Sequence, residues 1–154
     1  MLTLTNITPA DQGNYTCKLH SDIGAEHNTS VVTVQECRGS SAGYMNDSQA
    51  ECRFYGVYPT GTVHWFQDGA NLTGSAKTHI QEDQNRLFNV KSTIQIWPGN
   101  KTQLYNCSLW IPSMRKYLSS TVVTVEKSSY IQSSGSMIKL QWIMVGTLMI
   151  KFIM

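Results

Sequence analysis

An antiparallel all-β sandwich is the fold class this sequence predicts, and three observations carry the prediction. Cys52 and Cys107 lie 55 residues apart, with Trp65 thirteen residues after the first cysteine and Tyr105 two before the second. Short β-branched or alternating runs recur from residue 50 to residue 125, divided by turn-forming pairs such as Tyr58 with Pro59 and Asp68 with Gly69. Residues 87–97 alternate cleanly, with Phe88, Val90, Ser92, Ile94 and Ile96 on the parity that best fits a core face. A disulfide between two packed sheets, with Trp65 against it, would pin such a core.

Each element follows from local pattern. Leu2 and Leu4 alternate with Thr3 and Thr5, as on a short half-buried strand, and residues 6–11 turn the chain. Tyr15 and Cys17 open a second strand, and residues 31–34 form a third. Three strands with polar loops cannot close a sandwich alone. Residues 37–49 are loop-rich and hold a boundary and a weak first strand of the next unit. Residues 50–56 form a strand on which Phe54 and Tyr55 face opposite ways, and Val63, Trp65 and Phe66 lie on the next. Residues 72–84 read as polar and irregular. After the alternating run, Pro98, Gly99 and Asn100 turn the chain, residues 104–111 carry the second cysteine, and residues 121–125 close the unit with a β-branched strand. About seven short strands between residues 38 and 127 suit the sandwich.

Composition bounds the function. The net charge is +2, from 12 basic and 10 acidic residues in a chain only 14% charged, so no basic field points to nucleic acid. Four cysteines without a C-x-x-C pair argue for an oxidising compartment over zinc or redox chemistry. Seven N-x-S/T acceptors, at Asn6, Asn14, Asn28, Asn46, Asn71, Asn100 and Asn106, agree with a secreted chain. Strand alternation turns Asn106 outward between Tyr105 and Cys107, and Asn14 outward beside Tyr15. The first twelve residues carry neither a basic start nor an apolar core, so the expectation is a fragment, a partial gene model or an alternative product.

No catalytic constellation stands out, and no metal, cofactor or small-molecule substrate is expected. His20, His27, His64 and His79 are scattered, and His64 should face outward beside the inward Trp65. There is no G-x-S-x-G elbow, calcium loop or phosphate-binding glycine loop. Trp97 falls on the outward parity, as an exposed contact residue or as a platform for a glycan or loop. Residues 128–137 are a polar stalk. The apolar tail at 138–154 is interrupted by Lys139, Gln141 and Lys151, and a bilayer span needs roughly 20 apolar residues, so a membrane anchor, an amphipathic tail and a translated intron all fit it.

Asp11, Gly13, Tyr15 and Cys17 together resemble the end of a variable-type immunoglobulin domain. Cys52, the run Gly56-Val57-Tyr58-Pro59, Trp65, Tyr105 and Cys107 resemble a constant-type immunoglobulin domain, and residues 87–94 are similar to the matching strand of the B7 family of T-cell costimulatory and coinhibitory ligands, with butyrophilin-like proteins as near relatives. The resemblance implies an immunoglobulin-like sandwich, a C-type domain over 37–127, preceded by the last strands of a V-type domain over 1–36. It also implies the Cys52–Cys107 bond, Trp65, Tyr105 and Tyr15 in cores, Tyr105 as a tyrosine corner, and Asp11 supporting the equivalent turn. Residues 15–20 and 30–34 would be the F and G strands of a receptor-binding sheet, and the implied partner is a protein receptor on lymphocytes, met from the outer side of the plasma membrane. A truncated, non-binding or decoy product and a generic adhesion module are the alternatives. Cys37 departs from the pattern, leaving it and Cys17 to bond together, to bond between chains or to stay free.

Overall fold

The computed structural model describes residues 3–97 and 104–124. Leu2, the turn at residues 98–100 with Asn100, the stalk and the apolar tail lie outside the described residues. Ten strands run in order: β1 (Gly13–Ser21), β2 (Gly24–Val32), β3 (Ser40–Met45), β4 (Gln49–Val57), β5 (Thr62–Gln67), β6 (Ala70–Asn71), β7 (Lys77–Glu82), β8 (Phe88–Gln95), β9 (Tyr105–Ile111) and β10 (Lys116–Val123). β1 and β2 form a two-stranded antiparallel hairpin. The rest form two four-stranded sheets, ordered β10-β9-β5-β6 and β3-β4-β8-β7. All pairings are antiparallel. The architecture is an immunoglobulin-like sandwich, as the cysteine, tryptophan and turn pattern predicts.

Alternation builds the core. On β4, Ala50, Cys52, Phe54 and Val57 are buried, while Tyr55 points outward. Val90, Ser92, Ile94 and Ile96 supply the adjoining positions of the same sheet from β8 and its end, with Phe88 packed at the margin. Val63 and Trp65 come from β5, Cys107, Leu109 and Ile111 from β9, and Leu118 and Val123 from β10. At the centre Cys52 is bonded to Cys107. Cys52 lies opposite Ser92 in one sheet, and Trp65 lies opposite Cys107 in the other. The Trp65 indole N–H donates across the core to Ser92 Oγ at 2.9 Å, and Ser92 Oγ also shares a hydrogen bond with Thr78 Oγ1 at 3.0 Å. A serine on the core parity is thus the acceptor a buried indole requires.

Two glycines are set by close approach. Gly39 has φ 57°, and a Cβ there would fall 1.8 Å from the Tyr55 carbonyl oxygen. A Cβ on Gly61 would lie 2.0 Å from the Trp110 carbonyl oxygen, where β5 starts against β9.

Several elements differ from the sequence expectation. Residues 72–84 hold a short 3-10 turn, Thr73–Ser75, and the six-residue strand β7. All six β7 residues are exposed. It is an edge strand with Lys77, His79 and Glu82, held by backbone pairing to β8, so no apolar alternation marks it. The weak first strand expected within residues 37–49 is a full six-residue strand, β3, whose small residues Ser41, Ala42 and Gly43 carry little β signal. β10 starts at Lys116, five residues before the β-branched run, across a bulge between Tyr117 and Ser119. β2 starts at Gly24 and ends at Val32, because pairing with β1 decides its length, so only Val31 and Val32 of the expected strand at residues 31–34 belong to it. Leu4 belongs to no strand, and it is exposed.

Removing the pin has a calculable cost. Replacing Cys52 and Cys107 together by alanine releases a 55-residue loop, and urea unfolding should show a loss of about 4 kcal/mol by chain-entropy reasoning. Ser92→Ala leaves the buried Trp65 N–H without its acceptor and should cost about 1–3 kcal/mol. Thr78→Val removes only the outer bond to Ser92, so its urea midpoint should lie between those of Ser92→Ala and the parent.

Candidate interaction surface

The hairpin and the sandwich meet at a stitched junction. Asp11 closes the turn before β1: its carboxylate accepts from the Thr8 backbone N–H and from Thr8 Oγ1, both at 2.8 Å. These bonds hold the Asp11 carboxyl below its ordinary value. The Tyr15 hydroxyl donates to the Asp11 carbonyl at 2.7 Å, which gives this segment the tyrosine-corner geometry. Gln12 is the residue that sequence reasoning passed over. Its amide nitrogen donates to the Pro9 carbonyl and, at 3.4 Å, to the Tyr58 hydroxyl, while its Oε1 accepts from the Val34 N–H at 3.0 Å. The Ala10 N–H donates to the Asn85 carbonyl at 3.1 Å, and Cys37 and Tyr58 exchange both backbone hydrogen bonds. No local pattern announces a glutamine whose partners lie 3 to 46 positions away. Glu36 completes the junction, paired with Lys116 and with Arg38.

The hairpin itself is two-faced. The register pairs Tyr15 with Ser30, Cys17 with Asn28 and Leu19 with Glu26. By alternation Tyr15, Cys17, Leu19 and Val32 therefore share one face, and Thr16, Lys18, His20, His27 and Val31 share the other. Thr16 and Thr29 are hydrogen-bonded across that second face at 2.8 Å. Leu19 and Val31 are exposed, and Ile23 at the turn is 99% exposed. Tyr15, expected in a core, is half-buried, because β1 lies in a two-stranded sheet too small to enclose a core. Cys17 is an exposed thiol and Cys37 a half-buried one, and neither is bonded. Burial raises the Cys37 thiol above its ordinary value.

The two outer faces of the sandwich differ in chemistry. On the β3-β4-β8-β7 sheet, Glu51 is paired with Arg53 and Lys91, and the Arg53 guanidinium lies 5.4 Å from the Tyr44 ring centroid. Desolvation raises the Glu51 carboxyl, but the bonds from Lys91 and Arg53 outweigh it and hold the group below its ordinary value. That face is a solvated charge network. The β10-β9-β5-β6 sheet instead carries a ring cluster. His64 stacks on Trp110 at 6.2 Å between centroids, its Nδ1 is 2.9 Å from the Tyr117 hydroxyl, and Tyr117 meets Trp110 edge-on at 5.0 Å. His64 faces outward, as expected, and is half-buried because these rings cover it.

The described acceptor asparagines Asn6, Asn14, Asn28, Asn46, Asn71 and Asn106 are all exposed. Trp97 is 82% exposed, as its parity requires, and Tyr105 is buried. Among the described residues no group of three or more His, Cys, Asp or Glu side chains could hold a metal ion. No described helix is long and apolar enough to cross a membrane.

Residues 25–117 match the family model described as the CD80-like C2-set immunoglobulin domain. Neural cell adhesion molecule 1 of Bos taurus is 28% identical over 117 residues, which are 70% of this chain and 13% of that protein. Cell adhesion molecule 1 of Homo sapiens is 24% identical over 102 residues, 62% of this chain and 22% of that protein. The chain thus spans a fifth or less of the length of the neural relative and little more of the second. The crystal structure of bovine butyrophilin superposes with a TM-score of 0.49 at 20% identity, covering 77% of this chain and 58% of that one.

The junction should be acid-sensitive. The bond from Lys116, aided by Arg38, holds the Glu36 carboxyl below its ordinary value of 4.5. A depressed folded-state value means that the contribution is present above the unfolded value and is lost as pH falls through the folded one. Glu36→Gln should therefore flatten the fall of the urea midpoint as pH drops below the ordinary carboxyl value of 4.5, and should lower that midpoint at neutral pH.

Proposed function

The chain belongs to the CD80-like C2-set immunoglobulin domain family, and we propose that it serves outside the cell as a ligand or adhesion module that binds a protein partner without chemistry. The finer reading is a B7-type ligand that modulates T-cell activation through a receptor on lymphocytes. The family match, over a sandwich whose distinctive residues are all internal, is the observation that carries this reading. Cys52, Trp65 and Cys107 are buried and hold the module together, which leaves recognition to its surfaces. The recognition surface is the face of the hairpin bearing Lys18, His20, His27 and Val31, in the position of the F and G strands of a V-type domain. In this reading residues 37–127 are the supporting C-type domain, residues 128–137 the stalk and residues 138–154 the anchor in the plasma membrane.

The likeness to neural cell adhesion molecule 1 favours a second reading, a general adhesion module. Display of the chain on a cell surface separates the two. Staining of activated T cells supports the B7-type reading, and clustering of the displaying cells without such staining supports adhesion. Failure of both overturns the proposal. Lys18→Glu with Val31→Asp should weaken T-cell binding at least about tenfold, as expected for central contacts, while the urea midpoint stays near the parent's because both residues are exposed.

A further inference from the structure

We infer that Asn106 carries an N-linked glycan that docks along the outer face of the β10-β9-β5-β6 sheet, on the track of rings from Phe66 through His64 to Trp110 and Tyr117. The inference rests on the extracellular setting proposed above and goes beyond it to a modification with a bound position.

Register supplies the argument. Asn106 is exposed and lies opposite Phe66 on β5 and opposite Val122 on β10. It therefore projects from a central strand, between an aromatic and an exposed aliphatic side chain. The next outward positions bring His64 beside Ser108 and then Trp110 beside Tyr117. His64 contacts Phe66 edge-on at 6.3 Å and stacks on Trp110, so the rings form one continuous strip. From Asn106 to Trp110 is four residues along β9, about 13 Å at the rise of a strand. Tyr117 and Val122 remain 44% and 57% exposed. An exposed aromatic and aliphatic strip is the kind of surface that marks an interaction site.

The chemistry of the strip selects a sugar. Pyranose rings present apolar C–H faces that stack on aromatic rings, and their hydroxyls seek polar groups alongside. Trp and Tyr offer both an apolar body and a polar edge. Thr62, on the end row opposite Trp110, and Ser120, opposite Ser108, place hydroxyls beside the rings. A glycan rooted at mid-face must leave across these side chains. One rooted at Asn71, on the short strand β6 at the sheet edge, has open solvent on one side. The opposite sheet offers no such strip, since its outer face is held by the Glu51, Arg53 and Lys91 ion pairs.

The test uses the full chain passed through the secretory pathway of mammalian cells and treated, without denaturation, with an amidase that releases N-linked glycans. Site-resolved mass spectrometry reads the release rate. The Asn106 glycan should be freed at least several-fold more slowly than that of Asn46, which sits at the β3–β4 turn. Trp110→Ala and Tyr117→Ser should each speed release at Asn106 and leave Asn46 unchanged. Tyr117 is exposed enough that its variant keeps the comparison usable if Trp110→Ala fails to fold. An unmodified Asn106 beside a modified Asn46, equal release rates, or indifference to both substitutions overturns the docking and leaves the extracellular reading standing. Loss of the slow phase in Asn71→Gln assigns the strip to the other glycan and overturns the choice of Asn106. Self-association of the chain through this face, abolished by Tyr117→Ser, replaces the glycan by a second copy. Absence of glycan from every acceptor overturns both readings.

Discussion

The structure depends on one four-residue square. Cys52 and Ser92 are neighbours in one sheet, Trp65 and Cys107 are neighbours in the other, and two ties cross between them, the disulfide and the indole hydrogen bond to Ser92. The covalent tie restricts the unfolded chain, and the polar tie removes the cost of burying an indole N–H in an apolar core. Phe54, Ile94, Leu109 and Val63 pack around the square with little exposure. Both outer faces of the sandwich are displayed from strands that this square holds in register, whereas the β1–β2 hairpin is a sheet of its own.

Holding the sandwich from within leaves its two outer faces free to diverge. The residues that alternate with the core on β4 and β8 became an ion-pair network around Glu51. Those alternating with the core on β5, β9 and β10 became rings and an acceptor asparagine. A charged face stays soluble without a covering, whereas an aromatic one is stable in water only when partly covered. The junction adds a second level of order. Gln12 and Glu36 tie the hairpin segment to the sandwich through polar bonds, and at Glu36 through charge as well, so pH can act on that contact while the core is insulated from it.

The pattern of the chain was informative where chemistry repeats locally. The β8 parity marked Val90, Ser92, Ile94 and Ile96 as one face, and the same logic turned Asn106, Trp97 and His64 outward. It failed at β7 and marked β3 only as a weak strand. One is an exposed edge strand without apolar alternation, and the other is built of small residues, so each is a strand only because a neighbour supplies its hydrogen bonds. Gln12 was illegible for a related reason, since its role exists only once Pro9, Val34 and Tyr58 surround it.

By itself the sequence determined the sandwich, its buried tryptophan and the outward facing of Asn14 and Asn106. Each of these follows from spacing or from the two-residue period of a strand, which are properties of the chain taken one segment at a time. Only the tertiary structure decided why a serine stands at position 92, which rings gather beside Asn106, and how Gln12 and Glu36 join the hairpin segment to the sandwich. Those are contacts between strands and turns distant in the chain. Their partners are chosen by register and packing, and neither is written in any single segment.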